Sequence, residues 1–399
     1  MGGPIDVEAE RAATPGCSLV THLNNAGAAL PTTATLDAMI DHLHLESERG
    51  GYEAATVVSD RLAALRSSAA RLLNARPGEV VVTGSDTQAW TKAVWGFALG
   101  GGIERGQHLL VDRIAYDSHY LGLAQVCEQT GSTIDVVPST PDGSFDLDAL
   151  AAALATGRVA MAALTHVGTH RGLINPVEDA GTRCRAAGVP FFLDACQSVG
   201  QLPVDVDRIG CDVATATGRK WLRGPRGTGL LFVRSALAER MRPPGIGWSS
   251  AVWDDADHYQ LRPGTERFLE FEVSIAAHLA LGVAIEHALA LGLDAISQRV
   301  MGLGEQLRGE LAGIDGVRVH DGGSRRAGIV TFTVAGAAPM EVADAASRTG
   351  INVSVSDAPW ARLDMVAPNP VSRVRASPHY YNTEVELDRL VETVRTVGP

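Results

Sequence analysis

Lys220 lies in the run Thr215-Ala-Thr-Gly-Arg-Lys-Trp-Leu-Arg-Gly-Pro-Arg-Gly-Thr-Gly229, and upstream of it Asp194 closes the apolar run Pro190-Phe-Phe-Leu. A lysine can supply the amine of an imine. A carboxylate at a buried strand end can keep a heteroaromatic nitrogen protonated. Together they meet the needs of pyridoxal phosphate (PLP), whose ring then draws electrons from an attached amine. The amine must be uncharged to attack an aldehyde, so burial or a nearby cation has to lower its pKa. Arg219 stands beside it and also suits an anion. The plainer alternative is a surface lysine in a glycine-rich loop, the commoner state of that residue. Nucleotide loops are excluded by spacing. Trp221 follows Lys220 where a P-loop needs Ser or Thr, and the glycines do not make G-x-G-x-x-G.

These residues need strand ends to hold them. Short apolar runs at 80–83, 108–112, 133–137, 160–165, 190–194, 212–215 and 229–233 alternate with helical stretches, which predicts an α/β layer with a mostly parallel seven-stranded sheet between helices. Ligands of such sheets collect beyond the carboxyl ends of strands, where Asp194 and Ser85-Asp86-Thr87 fall. After Pro263 the pattern changes to Ala/Leu-rich helices at 270–291 and 294–312, strand-like pieces at 328–334 and 351–355, and a last helix from about 384. This reads as a smaller α+β lobe reached through a continuous helix near 285–295. The expected division is an N-terminal arm (1–22) packing on the small lobe, a large lobe (23–289) and a small C-terminal lobe (290–399).

The chain has 399 residues, enough for two lobes, and a formal charge of −12, which argues against nucleic acid and anionic membranes as partners. Five cysteines without a C-x-x-C pair fit a reduced, cytoplasmic chain. No metal site is expected: His166-Val-Gly-Thr-His170 lacks the glutamate of H-E-x-x-H, and the side chains of His42 and His44 diverge on a helix.

The segments Phe192-Leu-Asp-Ala-Cys-Gln-Ser-Val-Gly200 and Thr217-Gly-Arg-Lys-Trp-Leu-Arg-Gly-Pro-Arg-Gly-Thr-Gly229 closely resemble the class V, fold type I PLP enzymes. That group includes cysteine desulfurases, isopenicillin N epimerases and the C–S lyases of ergothioneine biosynthesis. The likeness runs from Leu23-Asn-Asn-Ala-Gly27 to Arg375-Ala-Ser-Pro-His-Tyr-Tyr-Asn-Thr383. It implies that Lys220 binds the cofactor aldehyde, Asp194 its ring nitrogen and Gln197 its ring hydroxyl. Ser85, Asp86 and Thr87 then form a phosphate cup, whose plainer alternative is a helix N-cap. Thr217 and Arg219 match further phosphate contacts. Arg375 matches the clamp on a substrate carboxylate, where a surface ion pair is the plainer alternative.

Several positions depart from the group. Tyr116 stands where many relatives carry a histidine over the ring and is the favoured stacking group, with His119, which could reach back to the ring, as the alternative. Thr169 replaces an asparagine near the ring hydroxyl. Desulfurases need a reactive cysteine on the loop before the carboxylate arginine, yet none lies between Asp357 and Val374. Gly50-Gly-Tyr-Glu-Ala54 resembles a stretch of the ergothioneine-type lyases. This suggests that Tyr52 lines a neighbouring subunit's site, although a helix-ending glycine pair explains it nearly as well. Thr265 matches a contact from that subunit to phosphate. The resemblance therefore implies a homodimer that breaks the C–S bond of a cysteine S-conjugate by β-elimination, giving thiol, pyruvate and ammonia. Transamination, epimerisation and decarboxylation coupled to deamination are the alternatives, because one such scaffold serves them all.

Overall fold

A computed structural model describes residues 3–360, 362–365 and 372–397. Seven strands, β1 (Val80–Thr83), β2 (His108–Val111), β3 (Thr133–Val136), β4 (Val159–Thr165), β5 (Phe191–Asp194), β6 (Val213–Thr217) and β7 (Gly229–Val233), form one sheet. Their order is β1-β7-β6-β5-β4-β2-β3. The five from β6 to β3 are parallel, and β7 runs against both its neighbours.

Period-two alternation sends successive side chains to opposite faces, and both faces are covered. Phe191, Leu193, Leu230 and Phe232 join one buried apolar cluster, while Phe192, Leu231 and Val233 join the other. That is why these strands read as unbroken apolar runs. Register then sets the site. Asp194 lies opposite Thr165 of β4 and Thr215 of β6. Gly229 lies opposite both Thr217 and Thr83, which joins the lysine turn to the segment before helix α1 (Asp86–Leu99). A Cβ on Gly229 would come 2.5 Å from the Ser85 carbonyl carbon. Glycine is what lets these two backbones touch.

Helix α2 (Asp117–Thr130) follows β2 and packs beside α1. A hairpin, β8 (Ala251–Asp255) and β9 (His258–Leu261), projects before the long helices α3 (Ile275–Leu291) and α4 (Leu293–Ala312). The continuous helix expected near 285–295 is not there. Gly292, at φ 88°, separates α3 from α4, and their axes bend by 83°. That backbone conformation suits glycine and ends a helix. Residues 270–274 are not helical either, because Ser274 caps α3 through Ala277 N.

The second sheet has the order β10 (Val317–Val319), β11 (Val330–Val334), β13 (Arg373–Ala376), β12 (Ser354–Ser356), antiparallel throughout. Its core takes in Leu23 from the N-terminal segment. Thr21–His22 pairs with Ile351–Asn352, and Arg11 bridges to Glu386 at 2.9 Å. Among the described residues no single helix is long and apolar enough to cross a membrane.

Candidate active site

Asp194 ends β5 with its carboxylate turned back on its own chain, and Cys196 N donates to Oδ1 at 2.8 Å. Lys220 follows β6 in a tight turn closed by Arg223 N to Lys220 O at 2.9 Å and Gly224 N to Gly218 O at 2.8 Å. Gly200, at φ 96°, backs this turn so closely that a Cβ would lie 2.5 Å from the Trp221 carbonyl carbon. Burial pushes the Lys220 amine below the usual lysine range. Arg219 adds to that push, and the Asp194 and Asp86 carboxylates oppose it. An uncharged nucleophilic amine is thereby favoured.

Between these two residues lies a cavity of about 260 Å³. Ser85, Asp86 and Thr87 enter it from the start of α1, and Tyr116 from the start of α2. Thr169, Asp194, Thr217, Arg219 and Lys220 also line it. Gly84, Cys196, Arg226 and Thr228 complete the lining. Of these the sequence reading had passed over Arg226, although a second cation in the same glycine turn was a usable signal.

At one end the donors converge. Ser85 Oγ accepts from Gln88 N at 3.1 Å and so caps α1, whose first-turn amides face an anion site. Arg219 Nη1 reaches Thr217 Oγ1 at 3.4 Å. The Asp86 carboxylate takes no part there: its Oδ2 meets His119 Nε2 at 2.7 Å.

Comparison with known proteins settles the kinship. The aminotransferase class-V family model matches residues 21–390. The chain belongs to the class-V aminotransferase family. It is 32% identical over 380 residues (94% of this chain, 89% of the relative) to a probable hercynylcysteine sulfoxide lyase of Mycobacterium tuberculosis. It is 29% identical over 345 residues (86% of this chain, 81% of the relative) to a probable cysteine desulfurase of Xylella fastidiosa. Among solved structures, the apo cysteine desulfurase of Thermococcus onnurineus superposes with a TM-score of 0.92 at 24% identity, covering 99% of each chain.

Class-V aminotransferases are PLP enzymes of fold type I, and the donor set here fits that cofactor. The cavity offers a buried amine, a buried carboxylate at the far side, and at one end a helix N-terminus with an arginine and hydroxyls. The Tyr116 ring supplies an aromatic wall, with Lys220 Nζ 5.9 Å from its centroid. Four expected residues, Gln197, Thr265, Tyr52 and Arg375, stand behind the cavity or away from it. Gln197 spends its amide on Thr169 Oγ1 at 2.7 Å and Ala26 O at 3.1 Å, so Thr169 separates it from the cavity. Thr265 is buried and donates to Gly78 O at 2.5 Å. Tyr52 is 76% exposed, its ring 6.4 Å from that of Phe271.

Arg375, on β13, is buried behind Thr169. Its Nη1 reaches Thr169 O and its Nη2 reaches Asn24 Oδ1, both at 3.3 Å, while Nε has no partner among the described residues. Burial lowers its guanidinium to about 10, a tendency that the nearby Tyr116 opposes. The position of His119 was not foreseen. It is buried, with Nδ1 3.3 Å from Asp194 Oδ2 and its ring stacked on Trp90 at 4.1 Å.

Proposed function

We propose that this PLP enzyme cleaves the C–S bond of a cysteine S-conjugate by β-elimination. The observation that carries the reading is the state of the one cysteine lining the cavity. Burial drives the Cys196 thiol well above its usual range, and the nearby Asp86 carboxylate adds to this. That favours the thiol form, which accepts sulfur poorly. With no cysteine between Asp357 and Val374, elimination needs no such acceptor. The relative named a hercynylcysteine sulfoxide lyase supports the same chemistry.

In this reading Asp194 meets the ring nitrogen, and Ser85, Thr87, Thr217, Arg219 and the α1 amides meet the phosphate. The bound cofactor supplies an electron sink for the substrate amine. Arg375 grips the α-carboxylate and so orients the Cα–H bond. Lys220 Nζ, kept uncharged by burial, takes the Cα proton. The thiolate leaves from Cβ and takes up a proton. Water completes the balance, so one S-conjugate and one water give one thiol, one pyruvate and one ammonium.

The reading includes a homodimer in the cytoplasm. Trp248 and Trp253 are each 79% exposed, an apolar surface suited to a second copy that would carry Tyr52 and the Thr265 turn towards its neighbour's site. Five unpaired cysteines suit a reducing compartment. The test is to incubate the enzyme with S-substituted cysteines and follow pyruvate and thiol together. Equal release of the two supports elimination. Carbon dioxide without pyruvate, or amino transfer to a 2-oxo acid, overturns it.

A further inference from the structure

Three elements distant in sequence meet behind the Asp194 end of the cavity: the first residue of α1, the third residue of α2 and the last residue of β5. They bring together Asp86, His119 and Asp194, all buried. The His119 ring lies between the two carboxylates, with Nε2 2.7 Å from Asp86 Oδ2 and Nδ1 3.3 Å from Asp194 Oδ2. Trp90 holds this ring twice over. It stacks on it at 4.1 Å with the planes 8° apart, and its Nε1 donates to His119 O at 3.1 Å.

We propose that His119 is a positioning residue of the cofactor site, locking the Asp194 carboxylate in orientation and charge, with Asp86 as the counter-carboxylate that keeps the imidazole positive. The proposal rests on the reading that Asp194 meets the ring nitrogen. An imidazole between two carboxylates satisfies both only by donating from both nitrogens, which is its charged form. Removing that donor would leave a buried carboxylate short of a partner, a costly state. Cys196 N donates to Asp194 Oδ1, and His119 Nδ1 stands within ion-pair range of Oδ2 at 3.3 Å, so both carboxylate oxygens face a protein nitrogen. Two carboxylates and one imidazolium leave a single negative charge, which a protonated ring nitrogen balances. The same atoms lie within 4.8 Å of one another, as metal ligands do, but the direct nitrogen–oxygen bonds already account for the cluster.

The electrostatics agree. Burial pushes His119 down, yet Asp86 and Asp194 outweigh it and raise the imidazole to about 9. Burial also pushes Asp86 up, yet His119 outweighs that and holds the carboxyl at about 2. Asp194 is raised, by burial first, with His119 opposing. The other charged or titratable groups facing the ring are Lys220, which opposes its charge, Asp112, which burial pushes up to about 8, and Tyr116, edge-on at 6.5 Å with its phenol raised by burial.

The test uses [13Cε1]-histidine NMR on the holoenzyme and on protein freed of cofactor, with His119 identified by its loss in His119→Phe. Its midpoint is expected far above the ordinary imidazole value in both forms and should fall in Asp86→Asn. A midpoint near the ordinary value in the wild type overturns the proposal. By equilibrium dialysis, His119→Phe should weaken PLP binding about ten- to a hundredfold, with partial recovery in His119→Gln. Unchanged affinity overturns it equally. If His119→Phe does not fold, the wild-type and Asp86→Asn titrations still decide. Neither readout uses a substrate, so an error about the reaction leaves both intact. Asp194→Asn, dialysed alongside, must also weaken PLP binding. If it does not, the assignment of Asp194 falls and the proposal falls with it.

Discussion

Two buried regions beside the cleft, the Asp194 wall and the Arg375 wall behind Thr169, are paired, and so finished, to different degrees. On the Asp194 wall the charged groups are paired inside the protein, His119 lying between Asp86 and Asp194, and Gln197 is engaged by Thr169, Ala26 and Trp221, although Asp86 Oδ1 has no hydrogen bond among the described residues. On the Arg375 wall partners are missing. Among the described residues, Arg375 Nε and both ring nitrogens of His170 are buried without a hydrogen bond. Buried polar atoms without partners cost free energy and persist where something else compensates. The first wall is built to present a fixed charge to a cofactor. The second leaves the Arg375 guanidinium with donor capacity that the proposed reading assigns to a substrate carboxylate.

The hardest test of this contrast removes the group that spans the walls. Lys220→Ala should abolish turnover, a loss of at least about a thousandfold, because it deletes both the cofactor's amine anchor and the base at Cα. The visible absorption band of the bound cofactor should vanish with it. Spectrophotometry of the purified variant checks this, and survival of the band would remove Lys220 from its assigned place. A smaller effect is expected on the unfinished wall. Arg375→Ala should raise KM about ten- to a hundredfold while PLP stays bound, since one bidentate charge-assisted contact is lost. Arg375→Lys should recover little, because an ammonium cannot form the planar fork. Steady-state kinetics with PLP occupancy measured in parallel separates the two walls. Loss of cofactor in Arg375→Ala would join what the geometry keeps apart.

The finished wall was only partly legible in the chain. The strands and the Lys220–Asp194 pair could be read because both depend on local runs: apolar strands covered on both faces, and a glycine-rich turn beside a strand end. His119 could not, because its partners come from the start of α1 and the end of β5, and no local spacing links them. Asp86 was read with the phosphate cup for the same reason, since its neighbours in sequence do face the cavity. The hairpin β8–β9 escaped because Trp253 and its flanking residues are exposed, so they carry no buried alternation. The helix break at Gly292 escaped because a single glycine in an Ala/Leu-rich stretch is compatible with continuing the helix, and tertiary packing decided otherwise.

The smallest expected effect bears on His170. It is fully buried beside Arg375, and burial first, then Arg375 and other cations, lower its imidazole to about 3. A histidine neutral in the fold but ordinary when unfolded takes up a proton on unfolding. Its contribution is therefore complete above the ordinary value of 6.5 and is lost as pH falls from there towards 3. His170→Phe fills nearly the same space without two unsatisfied nitrogens. It should stabilise the protein by about 1 kcal/mol at neutral pH, and the gain should grow as the solution is acidified. Thermal melts of the two proteins across the acid range measure this. A variant less stable than the wild type at neutral pH would mean that the His170 nitrogens have partners after all, and the contrast between the walls would narrow to Arg375 alone.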